Sequence, residues 1–301
     1  MSEQIVDDFY SARNLLYLGA YPQALSALSQ FTHLSGALEL EHKSLLYRAY
    51  LGQGNYAMVL EEIPATTTDL TLQAIRQLTL LKQQTSDDSH SAIIEKVEGL
   101  IAESNDLQNT TFVAVAAQIL IICGRHEAAL KMLALQPRNL ECVAMTVVAY
   151  LSINRVDLAQ KLTAKLRTWA EDAPIAQLAE AWAALFVGGP KYNEAFYIFE
   201  ELAQASSVST ARLLTALAVC KMHLAQYPEA EALLLEALEK DSNDPDVLAN
   251  LVVCANLTSK PLETKSRYLS QLKHAAPTHP FVVDLETKDA EFDAIAARLS
   301  A

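Results

Sequence analysis

Apolar residues recur along the chain at intervals of three and four positions, interrupted by short polar stretches. Such spacing places the apolar side chains on one face and predicts an amphipathic α-helix. The chain has only 8 glycines and 10 prolines, and these helix-breaking residues fall mostly between the periodic stretches. The pattern therefore predicts an all-α protein. The clearest example of this pattern runs from Ala211 to Asp241. Its periodic positions are Leu214, Leu217, Ala218, Ala225, Tyr227, Ala230, Leu234 and Ala237.

A short signature repeats within this pattern. A small residue ends one helix, an aromatic or apolar residue follows two positions later, and a small apolar residue lies three positions beyond that, as in Gly19, Tyr21 and Ala24. Most copies are spaced close to the roughly 34-residue period of tetratricopeptide repeats, and one spacing is about twice as long because a signature is missing. The last position of the signature, which we call the anchor, is occupied by Ala24, Val59, Ala129, Ala159, Ala195 and Ala230.

Each part of the signature has a physical reason. The small residue permits a tight turn, the aromatic side chain fills the wedge between two helices, and the anchor is small because the helices cross closely there. Each helix pair leaves an apolar face that only the next pair covers. The sequence therefore predicts a tetratricopeptide-type α-solenoid of stacked helix pairs over residues 1–301 as a single domain, with the most regular repeats at about 211–272.

Two regions depart from the regular repeat. Residues 64–108 have the length of a repeat and two helical stretches, around Leu70 to Gln83 and Ala92 to Ala102, but lack the signature. A degenerate copy of the signature near the C-terminal end includes Leu262. Such irregularities change the rotation per repeat, so we expect a solenoid that closes more tightly than a regular superhelix.

Charge and composition exclude several classes of function. The formal net charge is −13 and the sequence pI is about 5.0, which argues against nucleic-acid binding and against direct adsorption to anionic lipid. The longest apolar stretch, from Phe112 to Cys123, is shorter than the roughly 18 residues that a membrane helix needs. The N-terminus lacks the pattern of a signal peptide. We therefore expect a cytosolic protein.

No arrangement of residues predicts catalysis or metal binding. The four cysteines are far apart and the seven histidines form no ligand pattern, so buried thiols and packing explain them. The run Gly188-Gly189-Pro190-Lys191 lacks the spacing of a phosphate-binding loop and predicts a turn between helices. The sequence therefore predicts no enzyme, no cofactor, no metal and no small-molecule substrate.

The first helix of each pair should line the concave face of a solenoid. The twelfth position of these helices is apolar throughout, and the fifth and ninth positions carry mostly small or neutral side chains. Such a face suits a stable, largely apolar insert from a partner protein. The alternative, that these residues pack helix on helix within the solenoid, stays equally open. The candidate partner-binding residues are Arg48, Leu51, Thr111, Ala114, Gln118, Ile121, Ala144, Val148, Leu151, Ala184 and Val187.

Seven stretches along the chain form an ordered set: 45–51 (LLYRAYL), 59–63 (VLEEI), 109–112 (NTTF), 140–147 (LECVAMTV), 195–199 (AFYIF), 267–273 (RYLSQLK) and 279–281 (HPF). In order and spacing, this set resembles the coatomer epsilon-subunit family from about residue 5 to 295. The resemblance implies a cytosolic, non-enzymatic structural subunit of the COPI coat, acting in Golgi-to-ER and intra-Golgi vesicle transport. It implies a bracelet-like solenoid bound to the C-terminal domain of the alpha coatomer subunit, with only indirect contact to Golgi membranes through the coat.

A second interpretation is a tetratricopeptide adaptor that binds short peptides in another cytosolic pathway. Co-chaperones of this fold hold an acidic peptide terminus with a clamp of lysine, arginine and asparagine, because a desolvated carboxylate needs charged donors. No such clamp is visible in the sequence. Only Arg13 and Arg48 offer positive charge at inner positions.

Overall fold

The computed structural model of the chain describes residues 8–83, 87–104, 109–205 and 209–300. Over these residues the regular structure consists of seventeen α-helices without a strand, which confirms the predicted all-α class. The chain divides into two compact units, Met1–Ile198 and Phe199–Ala301. The expectation of a single domain over 1–301 stays a prediction.

Unit 1 is built from successive helix pairs. The second helix of each pair packs against the first, as α2 does on α1 and α8 on α7, and the first helices of neighbouring pairs also contact each other, as α7 and α9 do. The helices of the unit are α1 Tyr10–Tyr17, α2 Tyr21–Leu28, α3 Ala37–Gly52, α4 Tyr56–Glu62, α5 Leu70–Gln83, α6 Asp87–Glu103, α7 Thr110–Ile122, α8 His126–Leu133, α9 Leu140–Ser152, α10 Val156–Ala170, α11 Pro174–Val187 and the first part of α12 Lys191–Ala205.

Unit 2 begins at Phe199, within α12, and is also built from successive helix pairs. Its hydrophobic core is formed by α13, α14, α15 and α16 around Leu214, Leu234 and Leu251, and its last helix packs on this core only through its first turns. Its helices are α13 Ala211–His223, α14 Tyr227–Lys240, α15 Pro245–Leu257, α16 Leu262–Ala275 and α17 Pro280–Ser300.

The anchor residues of the signature lie where the helices of a pair cross. Each has 0% of its surface exposed to solvent, at Ala24, Val59, Ala129, Ala159, Ala195 and Ala230. A larger side chain at these crossings would push the helices apart. The complete burial of the anchors agrees with the reason given for a small residue at this position. In the degenerate copy, by contrast, Leu262 is 78% exposed.

The small residue of the signature adopts a left-handed backbone conformation. Gly124 has φ of 73° and Ala225, at the same place in a later repeat, has φ of 58°. In each turn the amide of the next residue donates to a carbonyl five positions back, as Arg125 does to Leu120 at 2.7 Å. These are Schellman caps, which satisfy carbonyls at the helix end and favour glycine.

The irregular segment contains the two helices that the sequence predicts. The first is α5, whose buried face of Ile75 and Leu78 joins the same core as α7, and the second is α6, which buries Ile93 and Val97. A side-chain hydrogen bond of 2.9 Å from Asn109 to Thr71 ties the start of α7 to α5. The segment therefore occupies a repeat's place without the wedge residue and anchor.

Unit 1 closes on itself. The N-terminal helix α1 contacts α11, and Tyr17 at its end packs against a cluster of Val143, Val147 and Ala179 from α9 and α11. The helix pairs of this unit therefore turn far enough for the first helix to meet the eleventh. Within unit 1 this agrees with the closure expected for the solenoid as a whole.

Candidate partner-binding surface

The candidate residues fall on four helices of unit 1. Each of these helices, α3, α7, α9 and α11, is the first helix of its pair, as the assignment of an inner face requires. Side chains on one face of neighbouring helices in a solenoid form a continuous surface. The four helices thus place the candidate residues within one unit.

Four of the candidates are covered by the chain itself. Ala114 and Ala144 are 3% and 2% exposed, Leu151 is 4% exposed and Ala184 is 7% exposed. Ala114 lies in the central core of unit 1, and Ala144 and Leu151 lie in the cluster between α9 and α11. Their direct contact with a partner would require the helices to move, so their place in the site stays a prediction.

The remaining apolar and neutral candidates keep part of their surface open to solvent. Thr111, Gln118 and Val148 are half-buried, and Leu51 and Ile121 are half-buried against the central core. Val187, at the end of α11, is 40% exposed. Its neighbour Phe186 is 56% exposed and does not emerge from the sequence, because it occupies none of the fifth, ninth and twelfth positions that the repeat pattern selects. These side chains are the accessible part of the candidate surface.

A shallow groove brings two of the candidates together with residues that the sequence pattern does not select. It holds about 170 Å³ between α10, α11 and the start of α12. Its apolar part includes Ala183, Ala184 and Val187, and its rim carries the ion pair of Arg167 with Glu180 at 3.3 Å. Polar and charged side chains therefore line the groove together with this small apolar patch, which is available to a side chain of a partner.

Arg48 belongs to an ion-paired network that joins three distant helices. Its guanidinium forms an ion pair with Glu141 in the first turn of α9, and the side chains of these two residues are 13% and 16% exposed. The phenol of Tyr17, at the end of α1, donates a hydrogen bond of 3.0 Å to the same carboxylate. We call Tyr17, Arg48 and Glu141 the closing triad. It links α1 and α3 to α9 across 124 and 93 positions of sequence.

Burial and the neighbouring carboxylate shift the pKa values of Tyr17 and Arg48. Burial and the nearby Glu141 carboxylate raise the pKa of the Tyr17 phenol well above its usual value. Burial alone would lower the pKa of Arg48, but the attraction of the Glu141 carboxylate outweighs this effect and the pKa is raised. A cation, a carboxylate and a neutral phenol therefore satisfy each other, and the positive charge of Arg48 is neutralised within the unit.

The other arginine considered for peptide binding is also engaged. Arg13 on α1 forms an ion pair with Glu41 on α3. Both arginines that could have held a peptide carboxylate are thus paired with carboxylates of the chain. A peptide terminus would have to displace Glu41 or Glu141, which weighs against the peptide-adaptor interpretation.

Metal binding and membrane crossing both lack a structural basis in the described ranges. Among these residues, no three histidine, cysteine or acidic side chains come together in a way that could hold a metal ion. Within the same part of the chain, no helix is both long and apolar enough to cross a membrane.

Solved structures confirm the fold. A chain of the APC/C hetero-tetramer Cut9-Hcn1 superimposes with a TM-score of 0.64 at 14% identity, covering 91% of this chain and 54% of that chain. A tetratricopeptide repeat protein from Parabacteroides merdae gives a TM-score of 0.57 at 11% identity, covering 87% and 97%. At these identities the likeness concerns the fold alone, which is a tetratricopeptide-type solenoid.

Sequence comparison identifies the family. The model of the coatomer epsilon subunit family matches residues 5–300. Coatomer subunit epsilon-2 from Oryza sativa subsp. japonica is 36% identical over 291 residues, which is 95% of each chain. Coatomer subunit epsilon from Caenorhabditis elegans is 32% identical over 293 residues, covering 97% of this chain and 99% of the relative. The chain therefore belongs to the family of coatomer epsilon subunits.

Proposed function

We propose that this COPI coat subunit binds the C-terminal domain of the alpha coatomer subunit through the candidate surface of unit 1. The family match over residues 5–300 carries the proposal. The protein would act mechanically, by stabilising the alpha subunit and helping to hold the coat together, without turnover of a substrate. Its contact with Golgi membranes would be indirect, in Golgi-to-ER and intra-Golgi transport, because a net charge of −13 disfavours anionic lipid.

The accessible candidates support an apolar contact. Val148, Phe186 and Val187 keep part of their apolar surface exposed, and burial of such a surface yields roughly 25 cal/mol per Å² before the costs of association. The groove beside α11 offers a place for an anchoring side chain, and its ion-paired rim would surround the contact and exclude water.

The closing triad supports the same proposal in a different way. Since Glu141 neutralises Arg48, this part of the unit presents little net charge to an incoming apolar element. An unpaired arginine at this position would instead favour an acidic ligand. The triad also fixes α1 and α3 on α9, so the surface would be ordered before the partner binds, which lowers the entropic cost of association.

The test is a titration of the full-length chain with the C-terminal domain of the alpha subunit, by calorimetry and co-elution. We expect a one-to-one complex of nanomolar affinity. Val187→Asp should weaken it by at least about tenfold, since a charge placed in an apolar contact loses its hydration. Leu135→Asp is the matched control, because Leu135 is 53% exposed and lies outside the candidate surface.

The outcomes separate the parts of the proposal. Absence of binding by the folded wild type would refute the alpha-subunit partner. Binding that is equally tight for wild type and Val187→Asp would keep the partner and refute this surface. The peptide-adaptor function would regain support only if acidic C-terminal peptides bound and Arg13→Ala or Arg48→Ala abolished their binding while the unit stayed folded.

A further inference from the structure

The last helix of unit 2 is only partly packed. Val282 in the first turn of α17 is 1% exposed and joins a cluster with Leu248 and Leu272. One turn later, Glu286 forms an ion pair of 2.9 Å with Lys273 on α16. From residue 286 to 295 every position of α17 is exposed. The C-terminal half of the helix thus extends beyond the core of its unit.

This exposed half carries an apolar stripe. Phe292 is 71% exposed, Ile295 is 56% exposed and Leu299 is 84% exposed. Their spacing of three and four positions puts them on one face of the helix, as in the seam of a coiled coil. The final helix of a solenoid normally turns a polar face outward to keep the protein soluble. We call Phe292, Ile295 and Leu299 the terminal stripe.

We propose that the terminal stripe pairs with the terminal stripe of a second copy of this chain, in an antiparallel helix contact centred on Ile295. In this arrangement the two Ile295 side chains meet at the centre, and Phe292 of each copy packs against Leu299 of the other. The stripe continues the face that Phe281 begins and that packs on unit 2 at the start of α17, so both halves of the helix bury the same face.

Two exposed charges select the antiparallel orientation. Glu291 and Arg298 flank the terminal stripe, each next to one of its outer residues. Antiparallel pairing brings Glu291 of one copy beside Arg298 of the other, and symmetry repeats the pair at the opposite end. A parallel pairing in register would instead set Glu291 beside an alanine, Ala296, without compensation. The charges therefore complement a second copy in one orientation.

The size of the contact predicts a weak association. Three large apolar side chains per copy bury well under the about 1,200 Å² of a standard stable interface. Each copy also carries a net charge of −13, and the resulting repulsion is reduced but not removed by physiological salt, whose screening length is about 8 Å. We expect a dissociation constant of roughly 10 to 100 µM, which makes the dimer reversible.

The first experiment is sedimentation velocity of the full-length chain between about 1 and about 500 µM, a range that spans the expected constant. The wild type should pass from monomer to dimer. Phe292→Glu and Leu299→Glu should remain monomeric over this range. Leu262→Glu is the matched control, because Leu262 is similarly exposed in the same unit but lies outside the stripe, and it should dimerise as the wild type does.

The second experiment tests the orientation by exchanging charges. Glu291→Arg and Arg298→Glu should each weaken dimerisation by about two- to tenfold, as expected for the loss of two exposed ion pairs. An equimolar mixture of the two variants should associate more tightly than either variant alone, because the antiparallel contact then pairs opposite charges at both ends.

Three results would overturn the proposal. A wild type that stays monomeric at the highest concentration would refute pairing between two copies. The stripe would then be left for another occupant, such as a basic amphipathic helix of a different protein. Dimerisation that survives Phe292→Glu would place the contact elsewhere. A mixture of the charge variants that associates no better than its components would exclude the antiparallel arrangement.

Discussion

Removal of Glu141 should destabilise unit 1 strongly. In Glu141→Ala, the buried guanidinium of Arg48 loses its carboxylate and Tyr17 loses its acceptor. Breaking a buried ion pair by truncating one partner typically costs about 3–5 kcal/mol, because the remaining charge stays desolvated. With 13% and 16% exposure for the two side chains, we expect the lower part of that range, about 3 kcal/mol.

The same reasoning predicts how the rest of the closing triad responds. Tyr17→Phe removes one hydrogen bond to a charged acceptor and should cost about 1.5–2 kcal/mol. The double variant Arg48→Met, Glu141→Leu removes both charges and fills the space with apolar atoms, so it should be close to neutral or even stabilising. If so, the strong effect of Glu141→Ala reflects the orphaned Arg48 charge rather than a large net stabilisation by the ion pair.

Tryptophan fluorescence measures this effect in the relevant unit. The chain has 2 tryptophans, Trp169 and Trp182, and both lie in unit 1; Trp182 packs against the cluster that Tyr17 contacts. With a urea slope of about 2–3 kcal/mol per M, a loss of about 3 kcal/mol should lower the midpoint by about 1–1.5 M. Glu127→Ala is the control, since the pair of Glu127 with Lys131 is fully exposed and its loss should leave the midpoint unchanged. A shift of less than about 0.3 M for Glu141→Ala would refute the assignment of the triad as a buried clamp.

Three further predictions concern the backbone, pH and thiols. Gly124→Ala should destabilise unit 1 by about 1 kcal/mol through its left-handed φ of 73° alone, because nothing lies within 4 Å of the added methyl group. Gly99→Ala, in the exposed middle of α6, should instead stabilise the unit by about 0.5–1 kcal/mol. The urea midpoints of the two variants should therefore move in opposite directions. Burial and Glu141 raise the pKa of Tyr17, so its contribution to stability is complete below the unfolded pKa of about 10 and is lost as pH rises further. Urea titrations from about one pH unit below that pKa to about one unit above it measure this effect. The free energy of unfolding should fall less with pH for Tyr17→Phe than for the wild type. Maleimide at neutral pH should label the half-buried Cys123 first, even though burial raises the pKa of its thiol. Mass spectrometry of the labelled native protein measures this order, and another thiol that reacts as fast would contradict the prediction. The other thiols should react only on unfolding, since burial raises the pKa to about 12 at Cys142 and Cys220 and also raises it at Cys254.

Local features of the fold are predictable from the sequence because they depend on neighbouring residues. The anchors are small because the two helices that cross there are consecutive in the chain, and Ala129 and Ala230 are fully buried as expected. The stretch Leu70 to Gln83 coincides with α5, since a long apolar period is the strongest signal of a helix. The sequence shows that the turn residue is small. Only the structure shows why: the Schellman cap requires a left-handed backbone at this residue, which favours glycine.

Features that depend on the winding of the solenoid are not predictable in this way. No local pattern relates Glu141 to Tyr17 or Arg48, because their contact arises only when the helix pairs of unit 1 have turned far enough to bring α1 back to α9. The twelfth positions illustrate the same limit. Leu151 is buried whereas Val187 is 40% exposed, although both occupy the same place in the repeat, since the neighbours of each helix differ.

The closing triad connects this geometry with partner choice. A solenoid that returns on itself brings charged inner positions into contact with one another, so their charges can be satisfied internally rather than by a ligand. In unit 1 this happens at Arg48, and Arg13 is paired in the same region. The candidate residues that remain accessible include the apolar side chains of Val148 and Val187. A tightly closed unit of this kind is suited to a stable protein partner, whereas an open one would leave its arginines available for exchangeable acidic peptides.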